Sequence, residues 1–349
     1  MATGSLLVDL AVKQQKGTDM GQIVIGMGSS HSPQLSTPSE LWLNHGEGDK
    51  QNPDLLDNAG VHRTFEELLE IAPSNIAQQL TPEKMEERHQ ANQRGIAKLA
   101  EAYVNANLDA LVIIGDDQEE MFRNDHRPAI AVYWGETITN GAVHITPDMS
   151  EARKASAWGW REPDGEKTFP VASDIGLHLI EHLREQDFDI AHIKQVPDWH
   201  NQMGHAFAFV YRRIMQDKII PTIPVMVNTY YPPNQPTLGR CYQLGAEIRA
   251  AVESWPGDIR VGVIASGGLS HFVIDEEMDQ QVMTALREGD KDTLISLPRE
   301  RLDSGTSEIR NWIAMAGASQ GLSHQWSDYV PSYRTMAGTG CAMGFGIWA

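Results

Sequence analysis

Short runs of apolar, mostly β-branched residues recur along the chain and end in small or polar residues. Four of them lie at residues 22–31 (QIVIGMGSSH), 109–115 (DALVIIG), 223–228 (IPVMVN) and 261–266 (VGVIAS). Runs of this length without polar alternation are typical of strands buried on both faces of a sheet. Together with a shorter run at 130–134, they predict five strands of one central sheet.

Helical patterns separate these strands. Thr81 followed by Pro82 is a typical helix start, and small or apolar residues recur from there to Asn107, which predicts the longest helix. Further helices are predicted over residues 173–186, with an N-cap at its start, and 238–255. The alternation predicts an α/β fold: a single domain with a central, largely parallel or mixed sheet covered by helices on both faces.

Three segments lack such patterns. Residues 32–59 are rich in Pro, Asn, Gly and Asp, which predicts a long loop that folds over the carboxyl ends of the strands. Residues 146–170 show no clear period. Residues 1–21 contain one short apolar run, interrupted by Asp9, and predict a flexible N-terminal extension before a domain that spans residues 22–349.

Charge and cysteine content narrow the range of functions. The chain has 47 acidic and 28 basic residues, which argues against nucleic acid or an anionic membrane as a partner, because both bind basic surfaces. No segment approaches the run of about 18 apolar residues that spans a membrane. The two cysteines, Cys241 and Cys341, exclude a disulfide framework and a Cys-rich zinc site, and favour a cytoplasmic location. Any metal would therefore be held by histidine, carboxylate or amide groups.

Two histidines follow predicted strands through turns of small residues. His31 comes directly after Ser29 and Ser30, and His271 closes the turn SGGLSH at residues 266–271. Because the carboxyl ends of parallel strands meet at one edge of a sheet, we expect both near the acidic run DDQEE at 116–120. The alternatives are buried structural histidines and a solvated acidic turn.

Taken in order, these pieces resemble the class III, LigB-type extradiol dioxygenases, whose best-known members act on protocatechuate, gallate and methylgallate. The matching motifs are SSHSP (29–33), the strand that ends in Asp116 and Asp117, GGLSH (267–271) and SGTSE (304–308) leading to Trp312. The resemblance implies a LigB-like catalytic domain over residues 22–349. It also implies a non-haem Fe(II) enzyme that opens the ring of a catechol- or gallate-type acid, including a lignin-derived methoxylated one, with O2.

The resemblance implies a role for each matching residue. His31 and Glu308 would bind the iron, and His271 would be the acid/base that takes a proton from the catechol and later returns it. His205 would be a second catalytic histidine near substrate and oxygen. Two histidines and a carboxylate leave open positions on Fe(II), where catechol and O2 bind side by side. The residues implied in substrate binding are Asp117, Ser270, Arg334 and Thr335, with Arg334 pairing with a carboxylate.

One position departs from the family pattern. The family's second ligating histidine follows the Asp after the second strand, and here that place holds Gln118. One explanation is that Gln118 is a weak ligand or supports the ligands, and another is that iron is not used in the usual way. In the third, a different residue completes the site, with the candidates His62, His205 and Asp117. A His31–Glu308 ion pair without metal is a further alternative.

Three functions are therefore compared. The first is the Fe(II)-dependent ring-opening dioxygenase, with a small aromatic substrate and O2 as partners. The second is a metal-dependent lyase or hydrolase on the same fold that does not activate oxygen, and the third is a non-enzymatic small-molecule binder. The resemblance also implies an oligomer, either a homodimer or a pairing with a small helical subunit, and we expect the homodimer.

Overall fold

A nine-stranded sheet forms the centre of the computed structural model, which describes residues 20–349. The strands are β1 (Gln22–Ser29), β2 (Leu55–Leu56), β3 (His62–Arg63), β4 (Ala110–Asp116), β5 (Ile130–Tyr133), β6 (Thr137–Asn140), β7 (Lys167–Pro170), β8 (Ala191–Ile193), β9 (Thr222–Val227), β10 (Arg260–Ser266), β11 (His271–Val273), β12 (His324–Tyr333) and β13 (Thr339–Trp348). The pairs β2–β3 and β6–β7 form two separate small sheets.

The helices lie mostly between these strands. They are α1 (Trp42–Asp49), α2 (Phe65–Ile71), α3 (Ile76–Gln79), α4 (Pro82–Asn105), α5 (Glu151–Ser156), α6 (Ser173–Glu185), α7 (His205–Phe209), α8 (Leu238–Glu253), α9 (Glu276–Glu288), α10 (Lys291–Ile295) and α11 (Ile309–Ala318). A π-helix continues α7 over Val210–Met215, and a 3₁₀ helix over Ser304–Glu308 leads into α11. Within residues 20–349, no helix combines the length and apolar character needed to cross a membrane.

The strand order of the large sheet is β11-β13-β1-β10-β4-β9-β5-β8, with β12 paired to β13. The four central strands β1, β10, β4 and β9 run parallel, whereas β13 is antiparallel to β1, and β5 is antiparallel to β9. Parallel strands need crossover helices, and these cover the sheet on both sides. The predicted α/β fold with a largely parallel or mixed sheet is confirmed.

Strand β4 explains why the central strands have no polar face. Val112 and Ile114 pack into the core below α8 and α11, while Leu111 and Ile113 pack into the opposite core with α4 and α7. All four side chains are buried. A strand covered by helices on both faces must be apolar at every position, because successive side chains point to opposite sides.

Helix starts follow the prediction in one case and not in another. The side chain of Thr81 accepts a hydrogen bond from the backbone N–H of Lys84 and caps α4, as predicted. The predicted N-cap at the start of α6 is wrong, because Ala172 holds the cap position without a side-chain bond. The Ser173 hydroxyl instead donates to the carbonyl of Trp134 at 2.6 Å, which ties the helix start to the sheet.

Two further segments differ from the sequence-based expectations. Residues 32–59, predicted as a plain loop, contain two 3₁₀ helices, α1 and the short strand β2, held by the buried side chain of Trp42. The sequence pattern does not predict β12 and β13. Strand β13 reads TGCAMGFGIW, and its glycines and alanine lower its intrinsic strand propensity, but every one of its residues is buried. Of the predicted extension, residues 1–19 lie outside the described chain, while Met20 and Gly21 already pair with Pro256 and Trp255.

Gly28 in β1 allows the ring of Trp312 to pack directly against the strand. A Cβ atom at this position would lie 2.1 Å from the ring of the buried Trp312, whose indole N–H donates to the Gly267 carbonyl at 2.8 Å. We expect Gly28→Ala to lower the free energy of unfolding by about 2–3 kcal/mol, because the ring has no free space to move into. Urea unfolding followed by circular dichroism measures this.

Gly239 provides the matched control. It lies near the start of α8 with no atom within 4 Å of an added Cβ. Gly239→Ala should stabilise the protein by about 0.5–1 kcal/mol, since alanine has the better helix propensity. Equal unfolding midpoints for the two variants would show that the Trp312 contact is not restrictive.

Candidate active site

Three of the parallel strands deliver polar side chains to one cavity at their carboxyl ends. His31 follows β1, Gln118 follows β4, and the turn after β10 leads to His271. The 3₁₀ helix before α11 adds Glu308 from the side. These residues line a cavity of about 800 Å³, which is within the range of small-molecule sites.

Glu308 lies at the centre of this group and is 1% exposed. One carboxylate oxygen lies 3.4 Å from His31 Nε2, and the other lies 3.3 Å from His271 Nε2. The backbone N–H of Gly268 also donates to it, at 2.5 Å. Burial opposes ionisation, but attraction to His271 and His31 outweighs it and holds the pKa of Glu308 well below its usual value. Glu308 is therefore a carboxylate anion.

The hydrogen bonds of His31 define which ring nitrogen faces the cavity. The Ser266 hydroxyl donates its single proton to the Ala206 carbonyl at 2.7 Å, so it can only accept from His31 Nδ1, 3.1 Å away. His31 is thereby held with its proton on Nδ1. In the neutral ring, Nε2 then presents a lone pair toward Glu308 and toward Asp116, 3.9 Å away.

Glu120 orients the ring of His205 through Nδ1, as Ser266 orients the ring of His31. Its Nδ1 lies 2.7 Å from a carboxylate oxygen of Glu120, and its backbone N–H donates to both oxygens of that carboxylate at 3.0 Å. Burial lowers the pKa of His205, but the Glu120 carboxylate raises it by more than burial lowers it, and the resulting pKa is about 9. The ring centroids of His31 and His205 are 4.6 Å apart, with nearly perpendicular planes.

His31, Asp116 and His205 form a group of three whose ligand atoms all lie within 4.8 Å of one another. Asp116 is fully buried, and burial together with repulsion from Glu308 raises its pKa. Two buried carboxylates side by side are unfavourable unless a cation compensates them. Two imidazoles with oriented Nε2 atoms and two carboxylates are a donor set that suits a divalent transition metal.

Comparison with known proteins identifies the family. The family model described as "Catalytic LigB subunit of aromatic ring-opening dioxygenase" matches residues 72–344. The chain belongs to this LigB family. The matched range includes His205, His271 and Glu308 and begins after His31. The predicted resemblance is confirmed.

Two characterised relatives share part of their sequence with this LigB protein. Gallate dioxygenase of Pseudomonas putida is 30% identical over 186 residues, which cover 48% of this chain and 53% of the relative. The 2,3-dihydroxyphenylpropionate/2,3-dihydroxicinnamic acid 1,2-dioxygenase of Comamonas testosteroni is 27% identical over 152 residues, covering 42% of this chain and 44% of the relative. The chain thus spans about half the length of these relatives.

Gln118, at the place where the family resemblance implies a second ligating histidine, contacts both carboxylates of the site. Its amide nitrogen donates to Asp116 at 3.3 Å and to Glu308 at 3.1 Å. The amide therefore supports the two acids and holds them in position. Three residues were suggested to complete the metal site in place of the missing histidine. Among residues 20–349, the structure brings one of them, His205, next to His31 and Asp116. The side chain of Asp117 accepts from the backbone N–H groups of Met121 and Phe122, and the exposed His62 pairs with Asp54 at 3.2 Å.

The residues predicted to bind substrate divide into two groups. Arg334 lines the cavity, but its guanidinium group already makes two hydrogen bonds to Asp49, at 2.8 and 2.7 Å. The other three do not lie among the cavity-lining residues of the described chain: Asp117 binds backbone N–H groups, Ser270 bonds to Asp279, and Thr335 bonds to Thr339. Their predicted roles as direct substrate contacts therefore lack support from their positions.

Two residues of the site were predicted only as members of the acidic run at 116–120, without a role of their own. Asp116 is the last residue of β4, and its carboxylate lies close to His31 and His205. An acidic residue at the end of a buried strand is the sequence signal that could have identified it. Glu120 orients His205 across 85 positions of the chain. No local pattern marks that contact, because it depends on how α7 packs against the end of β4.

Proposed function

We propose that this chain is a non-haem Fe(II)-dependent extradiol dioxygenase that opens the ring of a catechol- or gallate-type acid with O2. The observation that carries the proposal is the paired orientation of His31 and His205. Each ring is held through Nδ1, by Ser266 and Glu120, which leaves both Nε2 atoms free for a metal, and ligand atoms of the two rings and of Asp116 lie within 4.8 Å of one another. Family membership supports the ring-opening reaction.

The residues that would hold the metal are His31, His205 and Glu308, with Asp116 as a fourth donor. When bound, Fe(II) favours the deprotonated diol and connects it electronically to O2. Gln118 would keep the two carboxylates in place through its amide N–H bonds. Because an amide oxygen is a weaker ligand than imidazole, the supporting role fits Gln118 better than direct ligation.

His271 would handle the proton of the diol. Its Nδ1 lies 2.8 Å from the Leu269 carbonyl, which can only accept, so Nδ1 carries a proton and Nε2 faces the cavity. The Nε2 atom would take the proton from the substrate hydroxyl and later return it, as general acid/base chemistry requires. Burial lowers the pKa of His271, but the Glu308 carboxylate raises it well above its usual value and so stabilises the imidazolium. With Glu308 engaged by a metal this attraction would be weaker, which would leave Nε2 able to accept the proton.

The names of the relatives support an aromatic acid as substrate. Gallate and 2,3-dihydroxyphenylpropionate both carry adjacent hydroxyl groups on a ring and a carboxylate. The cavity has room for a ring with substituents. We therefore propose an acidic catechol or gallate derivative for this chain.

Anaerobic reconstitution followed by oxygen uptake tests the proposal. Protein loaded with Fe(II) should retain about one iron per chain, consume O2 with gallate, protocatechuate or 2,3-dihydroxyphenylpropionate, and release a yellow ring-opened product. Mass spectrometry of the product should show both atoms of labelled O2. Failure to retain iron, or no oxygen uptake with any diol, would refute the dioxygenase.

The neutral amide at residue 118 favours a second candidate, a metal-dependent lyase or hydrolase that does not activate oxygen. A site with two carboxylates and an amide suits Lewis-acid chemistry at zinc or manganese as well as iron. Turnover that is unchanged when oxygen is removed would select it. The homodimer and the cytoplasmic location stay predictions, which light scattering and cell fractionation test.

A further inference from the structure

Among the described residues, every acidic or arginine side chain that lines the active-site cavity has a hydrogen-bond or ion-pair partner, with one exception. The charged residues in the lining are Asp49, Glu120, Arg153, Arg161, Glu308 and Arg334. Asp49 neutralises Arg334, and Arg161 lies 3.7 Å from Glu120. Glu308 faces two histidines, as described above. Among residues 20–349, the guanidinium group of Arg153 makes no ion pair or hydrogen bond.

The backbone around Arg153 is held firmly, although its side chain is exposed. Helix α5 starts with the Ser150 hydroxyl accepting from the Arg153 N–H at 3.3 Å. The Asn44 side chain accepts from the N–H of the fully buried Ala152 at 3.0 Å, which ties α5 to α1. The free guanidinium group is thus carried by a fixed wall of the cavity.

The Arg153 charge affects the pKa values of two neighbouring groups, His45 and Asp148. His45 lines the same cavity, and burial, Arg334 and Arg153 lower its pKa to about 4 despite the opposing effect of Asp49. His45 is therefore neutral at neutral pH and adds no positive charge beside Arg153. The carboxylate of Asp148 interacts with Arg153 at longer range but forms no ion pair with it.

We propose that Arg153 determines substrate specificity by binding the carboxylate of the aromatic acid. The inference rests on the proposed ring-opening function and names the group that recognises its acidic substrate class. A free guanidinium group binds a carboxylate through two parallel N–H···O bonds. Arg334, which the family resemblance implies for this role, is already engaged in that way by Asp49.

Steady-state kinetics with gallate and its uncharged methyl ester test the assignment. Arg153→Gln should raise the KM for gallate by about 10–100-fold, the loss expected for a charge-assisted hydrogen bond. The kcat should stay within about twofold, and the KM for methyl gallate should not change. Arg153→Lys should recover part of the affinity, because it restores the charge without the planar guanidinium geometry.

Lys154→Gln is the matched control. It removes the same charge from the same helix, but Lys154 pairs with Glu151 at 2.8 Å and does not line the cavity. Both substrates should behave as with the wild-type protein. A similar rise in the KM for gallate in this variant would overturn the assignment, because the effect would then come from net charge.

The outcomes separate this inference from the proposed function. If the wild-type protein turns over gallate and Arg153→Gln leaves its KM unchanged, the role of Arg153 is refuted and the dioxygenase stands. If the wild-type protein consumes no oxygen with any diol, the dioxygenase fails. Calorimetric titration of both proteins with gallate and methyl gallate then decides: weaker binding of gallate alone by Arg153→Gln supports the carboxylate site, and equal binding refutes it.

Discussion

Replacing Glu308 with glutamine is expected to lower the affinity for Fe(II) by at least about 100-fold and to abolish turnover. Even residues that only support metal ligands typically contribute 10–100-fold to affinity, and a direct ligand contributes more. The buried Glu308 carboxylate lies between His31 and His271, and its pKa lies well below the usual value. Glutamine has almost the same shape but no charge, so it removes the anion without opening a cavity.

Metal titration under anaerobic conditions measures the effect, with iron content per chain as a second readout. Circular dichroism and urea unfolding check that the variant is folded. Glu300→Gln is the control, because Glu300 is exposed and does not line the cavity. Retention of iron by Glu308→Gln within about threefold of the wild-type affinity would remove Glu308 from the metal site and would leave the His31, Asp116 and His205 group as the binding centre.

Replacing His271 with glutamine is expected to lower kcat by about 10²–10⁴-fold while the iron content stays the same. General acid/base groups typically contribute this much to the rate. The ring fits between two glycines: a Cβ atom at Gly268 would lie 2.6 Å from it, and one at Gly305 would lie 2.3 Å from it. Together with the Nδ1 bond to the Leu269 carbonyl, this packing fixes the direction of Nε2.

The combination of readouts distinguishes proton transfer from metal binding. Stopped oxygen uptake with normal iron content assigns His271 to the chemical step, whereas loss of iron would make it a ligand. His62→Gln is the control, because His62 is an exposed histidine that pairs with Asp54 away from the cavity. Oxygen uptake by His271→Gln within about fivefold of wild type would contradict the proposed acid/base role.

Local pattern was sufficient for most of the sheet and for part of the site. The apolar run that forms β4 predicts a strand buried on both faces, and Thr81 with Pro82 predicts the start of α4. His31 and His271 follow strands β1 and β10, which pair in parallel, so their meeting at one edge follows from the strand order. Each of these predictions depends on residues that are close together in the sequence. The regular backbone geometry of strands and helices then fixes where their side chains lie.

The pairing of charges could not be predicted in this way. The sequence alone predicts that Arg334 is available for a substrate carboxylate, but Asp49, 285 positions away along the chain, binds it. Arg153 lies in the region without a clear period, and its place in the cavity wall depends on the contact between α5 and α1. Which cation stays free depends on which elements pack together, and no short stretch of sequence encodes that.

By itself, the sequence determined the fold class, the strand ends that carry His31 and His271, and the resemblance to the LigB family. Tertiary structure alone decided that Gln118 supports two carboxylates, that Glu120 orients His205, and that β13 completes the sheet. The physical reason is the distance along the chain over which each kind of interaction acts. Hydrophobic periodicity acts between residues a few positions apart, whereas hydrogen bonds and ion pairs between buried groups form only after distant segments have packed.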